Sequence, residues 1–479
     1  MRILLALTVT LILAACGGGG SGGDPTPTSR NLVVQGPITG FGSVVINGIH
    51  YETSASTEVE IDDDSTGRSE SDLQVGQIVT LRGRVDDDGT YFADSVSYDA
   101  EIKGPISSID PVAGTFVALG QTVIVTDATV YSGTAGFETL AVNDVVEVSG
   151  SRDAGDNLVA SFIELEDGPG EAEVHGTISA LDTTAQTFLI GDLSVDYGDA
   201  VLMPSSLVVA NDLFVEVEGT LVGGVLVAAK LKQDDDFDDE DEGHDAEVEG
   251  LVQSLLPDGF VVGTTAVRVS GSTDYEGGSL ASIQPGVKVE VEGVVAADGV
   301  LDADKVEIET AGTGGSIAGA ITAIDAGNQT ITVLGITLRL APSTLVRDDR
   351  DDAEDFAFAD LVVGDFIDAG FIETATGLQL TRLEREDGDD ESEIRGALDS
   401  ADAPGDVLVV AGVTVSVASA QFRDHETSIS REAFFAAATT GRQIKAQGSY
   451  SAGVLTATEV ELDDHNGDDL DDDEGSDDD

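Results

Sequence analysis

A glycine set among strand-forming residues recurs six times along this chain of 479 residues. It lies in segments such as VVQGPI, EIKGPI and EVEGLV, and successive copies are 68 to 77 residues apart. The six glycines are Gly36, Gly104, Gly176, Gly250, Gly319 and Gly396. Self-similarity at a fixed period is the signature of a repeat architecture in which every period is one structural unit. The chain is therefore predicted to fold as six similar units.

Two further marks recur in each unit. A second glycine ends an alternating segment such as VTLRG or VEVEG, 43 to 52 residues after the first; these glycines are Gly83, Gly150, Gly219, Gly293, Gly370 and Gly448. An alanine opens another strand 9 to 11 residues later; the residues at this mark are Ala93, Ala160, Ala228, Ala303 and Ala457, with Thr381 in the fifth unit. Between the first two marks lies a hairpin-like stretch such as VVINGIHY or FLIGDLSV.

The segments between these marks alternate apolar and polar residues and are rich in Val, Ile and Thr, which predicts half-buried strands. Each unit reads as a strand, a two-stranded hairpin, an irregular stretch and two more strands. A short helix or turn is expected before the fourth strand, most clearly near residues 434–438. This order is similar to the oligonucleotide/oligosaccharide-binding (OB) barrel, whose closure hides strand edges.

The predicted fold class is therefore all-β: a tandem array of six small barrels of five or six strands, resembling the OB fold, with acidic disordered linkers and an acidic disordered tail. The alternative is a continuous array in which the last strand of one unit pairs with the first strand of the next. The expected boundaries are 1–15 for a signal peptide, 16–30 for a flexible tether, 31–101, 102–168 and 169–233 for units 1 to 3, 234–245 for an acidic linker, 246–310, 311–386 and 387–463 for units 4 to 6, and 464–479 for the tail.

The amino end has the features of a bacterial export and lipidation signal. Arg2 is followed by an apolar run from Ile3 to Ala14 and then by Leu-Ala-Ala-Cys, ending at Cys16. A charged start, a short apolar stretch and small residues describe a secretory signal, and the tetrad resembles the lipobox of lipoproteins. Cys16 is the only cysteine, and a Gly/Ser-rich tether follows it. Cys16 is therefore predicted to be acylated. The residue after it is Gly17 and not Asp, which by resemblance to the sorting of enterobacterial lipoproteins implies the outer membrane, with the protein facing the periplasm or the surface.

The G-x-I/V, VEVEG and L-x-A-x-x-V/I spacings resemble the bacterial family called domain of unknown function 5666. The resemblance covers roughly residues 32–463. It implies tandem copies of one fold, commonly in lipoproteins, and it implies no activity, because these motifs are structural.

Composition excludes one class of partner. The chain has 92 acidic and 22 basic residues and a net charge of −70. Nucleic-acid binding needs clusters of Lys and Arg on the protein surface, so this chain is predicted to repel nucleic acid. The expected partner is the membrane, through the lipid anchor, and a protein or polysaccharide partner is left open.

The acidic tail is the candidate cation site, because hard cations prefer clustered carboxylates. Asp464, Asn466 and Asp468 fit positions 1, 3 and 5 of a helix-loop-helix calcium loop. However, Asp469 stands where that loop needs glycine, and Gly475 where it needs glutamate. Weak calcium binding stays a hypothesis with these three residues as candidates, and no other cofactor is expected.

No catalytic constellation emerges from the sequence. The five histidines, His50, His175, His244, His425 and His465, are scattered and form no close pair. The string GGSGG at 19–23 matches a nucleophile elbow only in form, because it lies in the tether without a preceding strand. The most chemically mixed cluster comprises Arg423, His425, Glu426 and Arg431 in the sixth unit. The chain is therefore predicted not to be an enzyme.

Together these features predict a lipid-anchored cell-envelope repeat protein that acts as a non-enzymatic spacer or as a multivalent binding array for an unknown ligand. The alternatives are an envelope ligand-binding protein or enzyme with a site in a divergent unit, or a weak calcium-binding protein that uses its acidic tracts.

Overall fold

A computed structural model describes residues 29–166, 168, 171–233, 237, 241–308, 314–348, 350, 356–374, 377–386, 391–424 and 427–462. The first unit contains β1 (Arg30–Gly40), β2 (Val44–Ile46), β3 (Ile49–Glu52), β4 (Glu58–Ile61), β5 (Ile78–Val85) and β6 (Tyr91–Tyr98). Strand β1 pairs with β2 and β5, β2 pairs with β3, and β6 pairs with β3 and β5, which closes a barrel of five strands. Strand β4 pairs with β6 beyond the end of β3 and prolongs the wall.

The other five units repeat this closed pairing. Unit 2 has β7 (Ile102–Asp110), β8 (Thr115–Ala118), β9 (Gln121–Ile124), β10 (Val130–Ser132), β11 (Val145–Arg152) and β12 (Leu158–Glu166). Unit 3 has β13 (Ala172–Asp182), β14 (Thr187–Ile190), β15 (Leu193–Asp196), β16 (Val201–Met203), β17 (Phe214–Val222) and β18 (Val225–Gln233). Unit 4 has β19 (Asp245–Leu256), β20 (Gly259–Val262), β21 (Thr265–Arg268), β22 (Asp274–Glu276), β23 (Lys288–Val295) and β24 (Leu301–Ile308).

Unit 5 has β25 (Gly314–Asp325), β26 (Thr330–Val333), β27 (Ile336–Arg339), β28 (Leu345–Asp348), β29 (Phe366–Thr374) and β30 (Gly377–Glu386). Unit 6 has β31 (Ser392–Asp402), β32 (Val407–Val410), β33 (Val413–Ser416), β34 (Gln421–Asp424), β35 (Thr427–Ser428), α1 (Arg431–Ala437), β36 (Gln443–Ser451) and β37 (Val454–Leu462). The predicted all-β array of six small barrels is confirmed.

In five of the six units, the second glycine takes the position at which a β-bulge shifts the strand register. In unit 1, Gly83 pairs with Ala93 while the preceding Arg82 pairs with Ser95, so Asp94 is an extra residue in β6. A Cβ at Gly83 would lie far closer than 3.0 Å to the carbonyl oxygen of Phe92. In four other units, a Cβ at the corresponding glycine would clash in the same way with a carbonyl oxygen of the partner strand. These glycines are Gly150, Gly219, Gly293 and Gly448. Glycine is required there because the two backbones approach so closely.

The fifth unit departs from this rule by one residue. Its bulge follows Gly370, so Phe371 pairs with Leu380 and takes the place that glycine has elsewhere. Gly370 and Thr381 are therefore not the structural equivalents of the other marks, as the sequence suggested. Gly315 in β25 makes room for the larger side chain, because a Cβ there would lie 2.8 Å from Cζ of Phe371.

In every unit, a pair of hydrogen bonds fixes the connection that precedes the last two strands. In unit 1, the Gly76 amide donates to the Ile38 carbonyl (2.8 Å), and the Ile38 amide donates to the Gln77 carbonyl (2.9 Å). The same pair recurs at Asn143, Asp212, Gly286, Gly364 and Gly441. All six residues have positive φ, a conformation that glycine adopts freely and that Asn and Asp tolerate.

The barrels associate through their first strands. Strand β7 of unit 2 pairs antiparallel with β13 of unit 3, and β25 of unit 5 pairs antiparallel with β31 of unit 6. Strand β1 of unit 1 pairs parallel with β19 of unit 4, with Leu32 opposite Asp245 and Gln35 opposite Val248. Among the described strands, these first-to-first pairings join the units, whereas the alternative of last-to-first pairing is not observed.

The paired barrels also share apolar cores. One core spans units 2 and 3 and another spans units 5 and 6. The core of unit 1 includes Val130 and Phe162 of unit 2 and Leu345 of unit 5, while Val33 of unit 1 packs into the core of unit 4. Burial of this surface, at about 25 cal/mol per Å², holds the units together as one body.

The acidic linker at 234–245 is predicted to be disordered, and its described residues show that this prediction is wrong for them. Charge blocks usually stay solvated, yet Phe237 packs in the core of unit 4 and Asp241 is only 1% exposed. Asp241 accepts hydrogen bonds from Nε (3.1 Å) and Nη2 (2.9 Å) of Arg82 in unit 1. This linker therefore contributes a buried ion pair between units 1 and 4, while 234–236 and 238–240 lie outside the described residues.

The predicted helix of the sixth unit is present as α1. Ser430 caps its first turn by accepting a hydrogen bond from the Ala433 amide (3.1 Å), and Phe434 on its inner face is fully buried. The helix has 7 residues. Across the described part of the chain, no helix has the length and apolar character needed to cross a membrane.

Candidate functional site

Most of the predicted site residues lie outside the described part of the chain. These are Cys16, the calcium candidates Asp464, Asn466 and Asp468, and His425, Glu426 and His465. Lipidation and calcium binding thus stay predictions.

The described members of the mixed cluster in unit 6 do not converge. Nε of Arg423 lies 3.2 Å from Oε2 of Glu459 in β37. Arg431 instead donates from Nε to Oδ1 of Asp406 (2.8 Å), and its guanidinium lies 4.6 Å from the centre of the Phe435 ring. Each arginine has its own carboxylate, so the two residues do not form one site.

The three described histidines also lie apart. Nδ1 of His50 is 3.1 Å from the Ser43 hydroxyl, and Nε2 of His244 is 3.2 Å from the Asn31 amide nitrogen. His175 is buried, with Nε2 3.3 Å from Oε1 of Glu173. The contacts of His50 and His175 are local, whereas that of His244 reaches unit 1, and the three histidines share no site.

A cavity of about 400 Å³ lies where units 1, 2, 4 and 5 meet. Apolar side chains make up much of its wall: Pro37, Ile78, Ala128, Val159, Ala160, Leu251, Leu345, Ile372 and Leu380. A concave, mainly apolar space at a junction of domains is the usual form of a small-molecule site. The cavity is the best candidate site in the described structure.

Different strands of the four barrels supply this wall. Pro37 and Ile78 lie opposite each other on β1 and β5 of unit 1. Ala160, which pairs with the bulge glycine of unit 2, and Leu380, which pairs with Phe371 of unit 5, both line the same space. The repeated bulges thus bring equivalent positions of two barrels to one cavity.

Eight side chains of the wall are polar, and two of them form an ion pair. Nζ of Lys288 lies 2.5 Å from Oε1 of Glu249, whose side chain is only 2% exposed. The remaining polar side chains of the wall are Thr126, Ser151, Ser161, Ser343, Gln379 and Thr381. Hydroxyl and amide groups among apolar residues suit a ligand that is largely apolar and carries a few hydrogen-bonding groups.

A second cavity, of about 500 Å³, lies between units 1, 2 and 5 and has a more polar wall. Nη1 of Arg347 donates to the Tyr131 carbonyl (2.7 Å). Burial disfavours ionisation of Asp348, but hydrogen bonds from Arg385 and Arg350 outweigh it and hold the pKa of this carboxyl below its ordinary value. Arg347 and Asp348, the main charged groups that line this cavity, are thus already bound to other groups of the protein.

Acidic side chains cover one face of unit 4, against unit 1. Burial, followed by repulsion from Glu292 and Glu249, raises the pKa of Glu247 to about 7. Burial, followed by repulsion from Glu247 and Glu249, raises the pKa of Glu290 to about 9. Perturbed carboxyls of this kind gather at functional and at structural sites alike.

Another acidic group consists of Asp63, Glu216 and Glu218, whose carboxylate oxygens lie within 4.8 Å of one another. Nζ of Lys232 lies 2.9 Å from Glu216 and 3.2 Å from Asp63, and Lys230 contacts Asp63 and Glu218. These two lysines balance most of the negative charge, so the group is an ion-pair network between units 1 and 3.

Comparison with known families supports the repeat. The profile described as Domain of unknown function (DUF5666) matches residues 33–97, 103–164, 249–307, 318–381 and 395–461. These five segments cover more than half of the chain. Unit 3 lies outside the matched segments but has the same closed strand pairing. No match to a curated protein is found.

Proposed function

We propose that this chain, which belongs to the family of domain of unknown function 5666, is a lipid-anchored ligand-binding protein of the cell envelope. Its ligand is a small, largely apolar molecule that occupies the cavity between units 1, 2, 4 and 5. The observation that carries this proposal is the cavity itself, whose wall combines nine apolar residues with eight polar ones that can orient a ligand.

The amino end supports the envelope location. The leader at 1–15 and the lone Cys16 have the form of a lipoprotein signal. The 14 residues from Cys16 to Ser29 can span up to about 45 Å when extended, at roughly 3.3 Å per residue. That length lets the barrels stand clear of an outer-membrane surface while the acyl chains hold the protein there.

Binding is a better account of this cavity than catalysis. Covalent catalysis by serine needs a base within hydrogen-bond reach of the hydroxyl. The described wall contains serines but neither histidine nor cysteine, and its Lys288 is paired with Glu249. The wall therefore offers shape and hydrogen bonds rather than an activated nucleophile.

A single site also fits the architecture better than six equivalent ones. In a multivalent array every barrel presents the same face to solvent, and the gain in avidity depends on that repetition. Here the first strands pair with one another, and contacts such as Arg82–Asp241 join units that are distant in sequence. The six units therefore act as one body that holds one ligand, and not as a flexible spacer.

The test uses a tryptophan reporter, because the chain has none. Ile372→Trp places a single indole in the cavity wall, and N-phenyl-1-naphthylamine serves as a neutral apolar probe. We expect one probe per chain and energy transfer from the indole to the probe. Added to that reporter, Ala128→Phe should fill the cavity and abolish binding, whereas Ala113→Phe, in an exposed turn of the same unit, should leave it unchanged. Several probes per chain, or binding that survives Ala128→Phe, would refute the proposed site.

The anchor has a separate test. Cys16→Ser should leave the far-ultraviolet circular dichroism spectrum of the protein unchanged and move the protein from the membrane fraction to the soluble fraction. Gly17→Ser, next to the cysteine, is the matched control and should stay with the membrane. Membrane association of the Cys16→Ser protein would contradict the lipid anchor.

A further inference from the structure

Units 1 and 4 meet across a face crowded with glutamates. Strands β19 and β23 place Glu247 opposite Glu292 and Glu249 opposite Glu290, and strand β24 places Glu307 beside Glu290. Like charges directly opposite each other on neighbouring strands repel and destabilise a sheet. This face therefore needs compensation before unit 1 can cover it.

Lysines compensate only part of the face. Lys288 pairs with Glu249 (2.5 Å), and Lys305 lies 3.1 Å from Glu292 and 3.3 Å from Glu307. Glu247 and Glu290 instead face Asn47, in the β2–β3 turn of unit 1. The Asn47 amide nitrogen donates to Oε2 of Glu290 and lies 3.5 Å from Oε1 of Glu247. A neutral amide cannot balance two negative charges.

We propose that this interface is a proton-dependent clasp: Glu247 and Glu290 hold protons while unit 1 covers unit 4, and loss of those protons drives the Asn47 turn and β1 away from β19. The titratable and charged groups that face the clasp are Glu247 and Glu249 on β19, Lys288, Glu290 and Glu292 on β23, Lys305 and Glu307 on β24, Glu276 on β22, and Tyr51 and Tyr91 of unit 1.

The direction follows from the pKa values. Because the pKa of Glu290 is raised to about 9 in the closed interface, the closed form binds a proton that a solvated glutamate gives up near pH 4.5. The closed interface is therefore most stable at low pH and weakens as the pH rises. For each of these two glutamates, a rise of one pH unit lowers the ratio of closed to open forms by up to about tenfold. The effect ends when the pH passes about 7 for Glu247 and about 9 for Glu290.

The clasp adjoins the proposed ligand cavity. Strand β19 carries Glu247 of the clasp and Leu251 of the cavity wall, and β1 carries Pro37 of the opposite wall. Opening of the clasp therefore separates two walls of the cavity and releases its ligand. This consequence rests on the proposed function, whereas the clasp itself does not.

Hydrogen exchange of the full-length chain between pH 6 and 9.5, read by mass spectrometry, tests the clasp without a ligand. Peptides from β1 and β19 are compared with peptides from the β7–β13 and β25–β31 pairs, so that the general rise of exchange with pH cancels. We expect protection of β1 and β19 to fall by up to about tenfold per pH unit relative to those pairs. A constant ratio over this range would overturn the clasp.

Variants give a second readout. The double variant Glu247→Gln/Glu290→Gln should keep β1 and β19 protected at pH 9.5, and Glu58→Gln, an exposed glutamate on β4, should behave as wild type. Asn47→Asp adds a negative charge and should move the loss of protection to lower pH, a test that stands even if the double variant fails to fold. An unshifted profile in Asn47→Asp would count against the clasp. Failure of the apolar probe to bind would leave these exchange results intact and refute only the ligand.

Discussion

The close approach of backbones at each bulge makes the bulge glycine of unit 4 sensitive to even a minimal substitution. Gly293 pairs with Ala303, and a Cβ at Gly293 would lie far closer than 3.0 Å to the carbonyl oxygen of Asp302. That atom belongs to the neighbouring strand, so it cannot move without pulling β24 away from β23. Gly293→Ala therefore strains two strands rather than one side chain.

The magnitude follows from two opposing effects. Forcing an extra methyl group into a packed site costs about 1–3 kcal/mol, and weakening one ladder hydrogen bond adds about 1 kcal/mol. Alanine also lowers the conformational entropy of the unfolded chain, which raises the free energy of unfolding by about 0.4–1 kcal/mol. We expect Gly293→Ala to lower the free energy of unfolding by about 1–4 kcal/mol.

Gly271 provides the matched control within the same unit. No atom lies within 4 Å of a Cβ built there, and its φ is negative or extended. Gly271→Ala should therefore leave the free energy of unfolding unchanged or raise it by about 0.4–1 kcal/mol. Because the chain has no tryptophan, urea denaturation is followed by circular dichroism, with hydrogen exchange of β23 and β24 as the local readout. Equal stabilities of the two variants would refute the steric account of the glycine mark.

Three further predictions concern other units. Asp241→Ala should cost about 2–4 kcal/mol in urea denaturation, because it removes the buried carboxylate that accepts two hydrogen bonds from Arg82, whereas Asp298→Ala, which breaks an exposed pair, should cause no measurable change. Phe371→Ala should cost about 3–4 kcal/mol, since it empties the space between β29 and Gly315, and a loss below about 1 kcal/mol would exclude that packing. Millimolar calcium should raise the melting temperature of the full chain but not of a chain that ends at Leu462 if the tail binds calcium, and identical responses of the two chains would exclude that hypothesis.

Local features of the barrel could be predicted from the sequence because they depend on neighbouring residues. The glycine and alanine marks encode a bulge, and the bulge fixes the register of two strands. The fifth unit misled the sequence comparison because Gly370 stands next to the true position. Phe371 is acceptable there only because Gly315, distant in sequence, leaves space for its ring.

The partners of each barrel could not be predicted in the same way. All six first strands share one apolar pattern, so the pattern does not show that β1 joins β19 rather than β7. The acidic linker misled for a similar reason: its composition indicates solvation, yet Asp241 is buried against Arg82 of a distant unit. The candidate cavity carried no sequence signal at all, because four units each supply a few ordinary residues to its wall.

The parallel pairing of β1 with β19 also sets an order of events as the chain emerges. Leu32 of β1 pairs with Asp245 of β19, which is synthesised much later. The edge of β1 that pairs with β19 is therefore formed long before its partner strand exists. At about 5–20 residues per second, the delay is on the order of 10–40 seconds. During that time units 2 and 3 can close on each other through β7 and β13. A nascent first barrel therefore depends on other protection for its exposed edge, and removal of one unit from the middle of the chain would shorten that delay as well as the protein.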